Sequence, residues 1–147
     1  TGLEIEFFHA FHDEHEGRLR GGRTGMFLIK ADGVRVLHVG DLGERLSDAQ
    51  IARFGAIDAL LVPVGGYFTL GPAGASELID RLAPKYAVPC HYRSDAANLD
   101  VLLPLSHFTA RFERGWHAGQ VTRANALDPS VVPATRPAII VLSALGT

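Results

Sequence analysis

A chain of 147 residues that is 47% hydrophobic is long enough to close one core, and its length gives no reason to expect more than a single domain over 1–147. Fourteen basic residues against sixteen acidic ones, a formal charge of −2 and no basic block argue against a nucleic-acid partner. One cysteine excludes an internal disulfide and no apolar run reaches bilayer-spanning length, so no membrane partner and a reducing, cytoplasmic setting are expected.

The chain opens on Thr1, with no initiator Met and no signal-peptide pattern, and enters a strand at once, so it reads as a piece that starts midway. Leu3, Ile5 and Phe7 alternate with Glu4 and Glu6, the period of a strand with one face buried. His9, His12 and His15 then recur every three residues in a stretch read as a loop, followed by a polar, glycine-containing run. Imidazoles with nearby carboxylates suit a transition metal, and a solvated loop with exposed histidines fits the composition equally well. A second strand over 25–30, an Asp32-Gly33 turn and a return strand over 34–39 form a hairpin.

The return strand ends in Val39-Gly40-Asp41-Leu42-Gly43, an acid between two glycines at the end of an apolar run. Folding alone does not ask for an acid there, although a turn aspartate bonding its own backbone is the ordinary alternative. Ser47 with Gln50, and Leu46 with Ile51, start a short helix that ends by Gly55. The continuous apolar run 59–64 is a strand covered on both faces, broken by Gly65-Gly66. Pro72 opens a helix with Ala75, Leu78, Ile79 and Leu82 on one stripe, and Pro84 closes it. A strand over 85–90 follows and ends on His91. Beyond it the pattern predicts a helix after Ser106, strands over 120–124 and 138–143, and loops at Asp128-Pro129-Ser130 and 133–137. His107, Trp116 and His117 have no partners at an interpretable spacing and read as structural or surface residues. No internal repeat or low-complexity linker is found.

His12, Asp41 and His91 each close or follow a strand, with helices between, which suggests an open α/β sheet delivering residues to one rim. Two neutral imidazoles and a carboxylate are a sensible ligand set for Zn²⁺ or a similar divalent ion, and Asp41 offers two oxygens to bridge two ions. Positions left open for water would supply a hydroxide near neutral pH, for attack on a lactone, ester, amide or phosphoester.

The series Phe11-His12-Asp13, Gly40-Asp41-Leu42-Gly43, Pro63-Val64-Gly65-Gly66-Tyr67-Phe68-Thr69 and Pro89-Cys90-His91-Tyr92 resembles the later half of the metallo-β-lactamase superfamily. The branch it is most similar to is that of the small metal-dependent hydrolases that include ascorbate-phosphate lactonase-like proteins. The resemblance implies an αββα sandwich, of which this chain supplies the later part as a mixed sheet with flanking helices. It implies that His12 takes the place of the third metal-binding histidine, Asp41 the bridging and catalytic aspartate, and His91 the last histidine. The metal would be Zn, with Mn or Fe as alternatives. His9 or His15 replaces His12 if the alignment of that loop slips, and His38 and the Gly65-Gly66 turn lie near the site without ligating.

The His-x-His-x-Asp-His hallmark of the superfamily does not occur in these 147 residues. Either a preceding segment or another chain supplies it, or the protein is a remnant without catalysis, and one sheet face stays bare unless something covers it. Two readings follow: a metal-dependent hydrolase of a small-molecule substrate using a metal-bound hydroxide, or a non-catalytic interaction or assembly module that buries the bare face against a partner or a second copy. A third, a cofactor domain using residues 40–43 as a phosphate turn, lacks the G-x-G-x-x-G spacing.

Overall fold

In the computed structural model, residues 2–95, 99–115, 117–126 and 137–143 are described. The chain runs β1 (Leu3–Phe11), β2 (Arg23–Ala31), β3 (Val34–His38), α1 (Asp48–Phe54), β4 (Ala59–Pro63), α2 (Pro72–Leu82), β5 (Tyr86–Cys90), α3 (Ser106–Glu113), β6 (Gln120–Ala124) and β7 (Ala138–Leu142). The strands form one sheet in the order β1-β2-β3-β4-β5-β7-β6. Strands β1, β2 and β3 are antiparallel neighbours, whereas β3, β4, β5, β7 and β6 pair in parallel. As a result β1, β3, β4 and β5 all point the same way and finish on one rim. That rim is where an open α/β sheet leaves room for a site.

The local chemistry explains the elements. Ser47 and Gln50 form a reciprocal cap on α1: the Gln50 N–H donates to Ser47 Oγ at 3.2 Å and the Ser47 N–H donates to Gln50 Oε1 at 2.8 Å. Pro72 sits in the first turn of α2, and the helix closes at Ala83, which adopts φ +46° just before Pro84. Phe8, Met26, Leu28, Leu37, Leu60, Val62, Ala87 and Ile139 of the sheet share a single buried cluster with Phe54 of α1, Leu78, Ile79 and Leu82 of α2, and Phe108 and Phe112 of α3. The three helices therefore cover the same side.

The other side of the sheet carries Leu3, Ile5 and Phe7 at 68%, 55% and 51% exposure, with Phe27 and Val34 beside them. Toward β5 and β7 it grades into a smaller patch of Val88, Ala138 and Ile140. One sheet with one helical layer is half of a four-layer sandwich, as expected. No helix among the described residues is long and apolar enough to cross a membrane.

One expectation needs correction. His9 lies within β1 rather than in a loop, because the alternation that starts at Leu3 continues to Phe11, paired with Arg23. His117, read as a structural or surface residue, is structural. It stands between α2 and α3, where its Nδ1 lies 2.5 Å from Asp80 Oδ2 and its Nε2 lies 3.0 Å from an Arg111 guanidinium nitrogen. Trp116 and the expected loop at 128–130 and 133–136 fall outside the described residues.

Candidate metal centre

Asp41 reaches the rim on a turn that several groups hold in place. Gly40 takes φ +56°, its N–H donates to His38 Nδ1 at 2.9 Å, and the Asp41 N–H donates to Thr24 Oγ1 at 3.2 Å. His38 thus caps the turn, and the Asp41 carboxylate projects from it about half exposed.

His91 follows β5 directly. It takes φ +50°, a left-handed conformation uncommon for a residue with a side chain and a form of strain that collects at functional sites. Its carbonyl accepts the Gly65 N–H at 3.0 Å, and a Cβ on Gly65 would lie 2.3 Å from that oxygen, so only glycine fits the crossing. His91 Nε2 lies 3.9 Å from Asp41 Oδ1. That is too long for a hydrogen bond, but within the roughly 4 Å that two ligands about 2.0–2.2 Å from one ion can span. The other ring nitrogen, Nδ1, is buried without a hydrogen-bond partner. Nε2 is the nitrogen that faces Asp41, so the pair's fit to an ion rests on Nε2 and the carboxylate, and the unpaired Nδ1 is a separate polar group.

His12 comes to the same rim from β1. The Gly43 N–H donates to Phe11 O at 2.9 Å, and Gly43 passes so close to the His12 carbonyl that a Cβ there would lie 1.8 Å from its oxygen. His12 Nδ1 is 3.1 Å from Phe68 O; since a carbonyl only accepts, Nδ1 carries the proton and Nε2 keeps its lone pair. This is the tautomer a metal-ligating histidine needs, with the second nitrogen donating to a backbone carbonyl. The turn that starts at Gly65-Gly66 therefore touches both histidines, His91 through Gly65 and His12 through Phe68.

The structure brings Asp41 and His91 together as a pair and sets the His12 backbone beside them. Among the described residues, no three His, Cys, Asp or Glu side chains gather closely enough to enclose an ion. The donor types and the Asp41–His91 pair fit a divalent metal, with the ligand sphere open on the side of His12. Of the two alternatives to His12, His9 packs edge-on against Phe7 in the strand and His15 is exposed on the loop.

Other rim groups escaped sequence reasoning. Asp13 is buried, and its carboxylate accepts backbone N–H bonds from His15, Gly17, Leu19 and Arg20. Burial alone would raise its pKa; those four donors outweigh it and hold the carboxyl below the usual range. Glu44 Oε1 accepts the Phe11 N–H at 3.0 Å; burial, aided by Glu14 and Glu16, leaves its pKa raised despite that bond. Cys90 is pushed up to about 11, first by burial and then by the negative Asp41, so it is a thiol at neutral pH and no nucleophile. The run containing Gly17, Gly21 and Gly22 reads in the sequence only as a polar loop, and nothing there marks Thr24.

Residues 1–91 match a family model described as a beta-lactamase superfamily domain. A metal-dependent hydrolase of Thermococcus onnurineus is 34% identical over 95 residues, covering 63% of this chain and 42% of that protein. Another, from Archaeoglobus fulgidus, is 37% identical over 82 residues, covering 56% of this chain and 36% of that one. Among solved structures, one described as a Zn-dependent hydrolase of the metallo-beta-lactamase superfamily from Thermotoga maritima superposes with a TM-score of 0.72 at 31% identity, covering 97% of this chain and 66% of that chain. A metallo hydrolase from Ignicoccus hospitalis gives 0.54 at 26% identity, over 78% of this chain and 47% of that one. The chain spans about two-fifths of the length of the curated relatives it matches. The rim, the turns that shape it and these matches together place the chain in the metallo-β-lactamase superfamily.

Proposed function

We propose that this chain carries part of the active site of a metal-dependent hydrolase, with His12, Asp41 and His91 as ligands of a divalent ion, zinc ahead of manganese or iron. The observation that carries the reading is the Asp41–His91 pair, 3.9 Å apart at the rim ends of β3 and β5, two parallel strands with β4 between them. The names of the relatives in Thermococcus onnurineus and Archaeoglobus fulgidus support it.

Held by these residues, a divalent ion would lower the pKa of coordinated water to roughly 7, which would suit hydrolysis of a lactone, ester or phosphoester at neutral pH. The chain's own residues would do the remaining work. Asp41, its backbone N–H fixed by Thr24, keeps a carboxylate oriented toward the rim. His12, its Nδ1 proton engaged by Phe68 O, presents Nε2. The walls that choose the substrate include the exposed Tyr67 and Phe68 on the turn that joins the two histidines.

The bare sheet face supports a second element of the reading. Exposed Leu3, Ile5, Phe7 and Phe27 are the inner wall of a sandwich in the superfamily's architecture, and we assign their cover to a sheet carrying the His-x-His-x-Asp-His residues, in the same polypeptide or another. If the alternative reading holds, of a non-catalytic assembly module, the face closes instead on a second copy of this chain. The single cysteine is compatible with a cytoplasmic setting.

The test is hydrolysis of a panel containing a lactone, a carboxylic ester and a phosphodiester by the zinc-loaded protein, alone and mixed with a superfamily N-terminal half bearing the His-x-His-x-Asp-His residues. Turnover lost in Asp41→Asn supports the proposal. No turnover in either setting, with a light-scattering mass of two or more chains, supports the assembly module.

A further inference from the structure

Residues 13–22 fold into a compact turn in which Glu16, Gly17, Gly21 and Gly22 all take positive φ, from +59° to +73°. Such a backbone points successive N–H groups inward and forms a concavity that binds an anion. Here the anion is the chain's own Asp13. Its Oδ1 accepts from the His15 N–H at 2.8 Å and the Gly17 N–H at 3.1 Å; its Oδ2 accepts from the Leu19 N–H at 3.1 Å and the Arg20 N–H at 2.6 Å. No neutral side chain of similar size supplies two oxygens to four donors.

The turn held in this way touches His12 from two directions. Gly21 packs under the imidazole, so that a Cβ there would come 2.7 Å from the ring. Arg20, anchored at its own N–H by Asp13, lays its guanidinium 4.6 Å from the Tyr67 ring centroid and donates to Tyr67 O. The next carbonyl along, Phe68 O, is the one that takes the His12 Nδ1 proton at 3.1 Å.

From these contacts we infer that Asp13 is a positioning residue for His12: by closing the 13–22 turn it fixes the ring, through Gly21, and the carbonyl that sets the tautomer, through Arg20 and Tyr67. The inference rests on the reading of His12 as a metal ligand, and it assigns to Asp13 a part that direct coordination does not. Asp13 itself spends its oxygens on backbone N–H groups and leaves the ion to Nε2 of its neighbour.

The test uses the metal-free chain labelled with ¹⁵N and, separately, Zn²⁺ affinity by competition with a chelator. In the wild type the His12 imidazole nitrogens report the Nδ1–H tautomer. In Asp13→Asn, where an amide –NH₂ faces two of the four N–H donors, the tautomer shifts toward the Nε2–H form common in free imidazole. Zn²⁺ affinity falls about tenfold or more, the usual consequence of losing a group that orients a ligand. In a His12→Ala background, Asp13→Asn costs no further affinity, because its effect runs through the missing ring. An unchanged His12 tautomer in Asp13→Asn, or an equal affinity loss with and without His12, overturns the inference and leaves Asp13 a structural staple. If Asp13→Asn does not fold, Asp13→Ser, which keeps one acceptor, is read in the same way. A wild type that binds no Zn²⁺ defeats the ligand reading of the site, while the tautomer comparison still decides the role of Asp13.

Discussion

The closest backbone crossing at the rim makes Gly43→Ala an informative substitution. The added Cβ would lie 1.8 Å from the His12 oxygen and 2.3 Å from its carbonyl carbon, where about 3.0 Å is the floor for such contacts. The obstacle is backbone, which cannot rotate aside, so the segment after Asp41 and the end of β1 must part by more than 1 Å. That movement stretches the Gly43 N–H bond to Phe11 O beyond its 2.9 Å. Overpacking of this kind costs about 1–3 kcal/mol and a lost backbone hydrogen bond about 1 kcal/mol more. Because the displacement falls between His12 and Asp41, Zn²⁺ affinity should drop with stability, by about 10- to 100-fold. Gly74→Ala is the control. It lies in α2, its Cβ would meet only the movable end of Leu70 at 3.1 Å, and it should be neutral or gain up to about 1 kcal/mol from helix propensity. Urea unfolding midpoints and Zn²⁺ titrations of both variants decide the matter. A Gly43→Ala protein as stable as the wild type, with equal Zn²⁺ affinity, would refute the reasoning.

Further expectations concern the core and the rim carboxylates. Phe54→Ala, which empties a site under β1 where Phe54 meets Phe8 edge-on at 5.0 Å, should cost about 3–5 kcal/mol in urea unfolding. Asp13 titrates lower in the folded chain than in the unfolded one, so its contribution is complete above its unfolded pKa, near 3.8, and is lost as pH falls through the folded value. Asp13→Asn should therefore flatten the acid limb of the stability profile, and an identical limb would count against the four-donor account. Glu44 has the opposite sign: its raised folded pKa makes the native state bind the proton more tightly, so stability falls as pH climbs through the window above 4.5. Glu44→Gln, whose amide oxygen still accepts from Phe11, should lack that decline. Cys90, with its thiol pushed up to about 11, should resist alkylation at pH 8 in the native protein and react in denaturant.

What the sequence made legible follows from the range of the forces involved. Strands and helices with a clear period, a Ser47–Gln50 cap or a Pro72 start are local, and they appear where residue spacing predicts them. The rim was legible because polar residues interrupting apolar runs, Asp41 after β3 and His91 after β5, are visible along the chain, and parallel pairing of β3, β4 and β5 brings their ends together. His9 was misread because a histidine reads as polar, whereas on the outer sheet face it simply continues the alternation of β1 and packs on Phe7. His117 was read as structural or surface and is structural, but its partners, Asp80 and Arg111, belong to two helices whose packing no spacing announces. Asp13 lay between. Its glycine-rich sequel was visible, but the convergence of four N–H groups on one carboxylate depends on dihedral angles that only the folded turn displays.

The central claim is that Asp41 and His91 hold one divalent ion with His12 beside them, and Zn²⁺ titration against a competing chelator tests it most directly. The wild-type chain should bind Zn²⁺, Asp41→Asn and His91→Ala should each lower affinity at least about tenfold, and His107→Ala, a histidine of α3, should leave it unchanged. Equal Zn²⁺ affinity in all four proteins, or none in the wild type, would contradict the account.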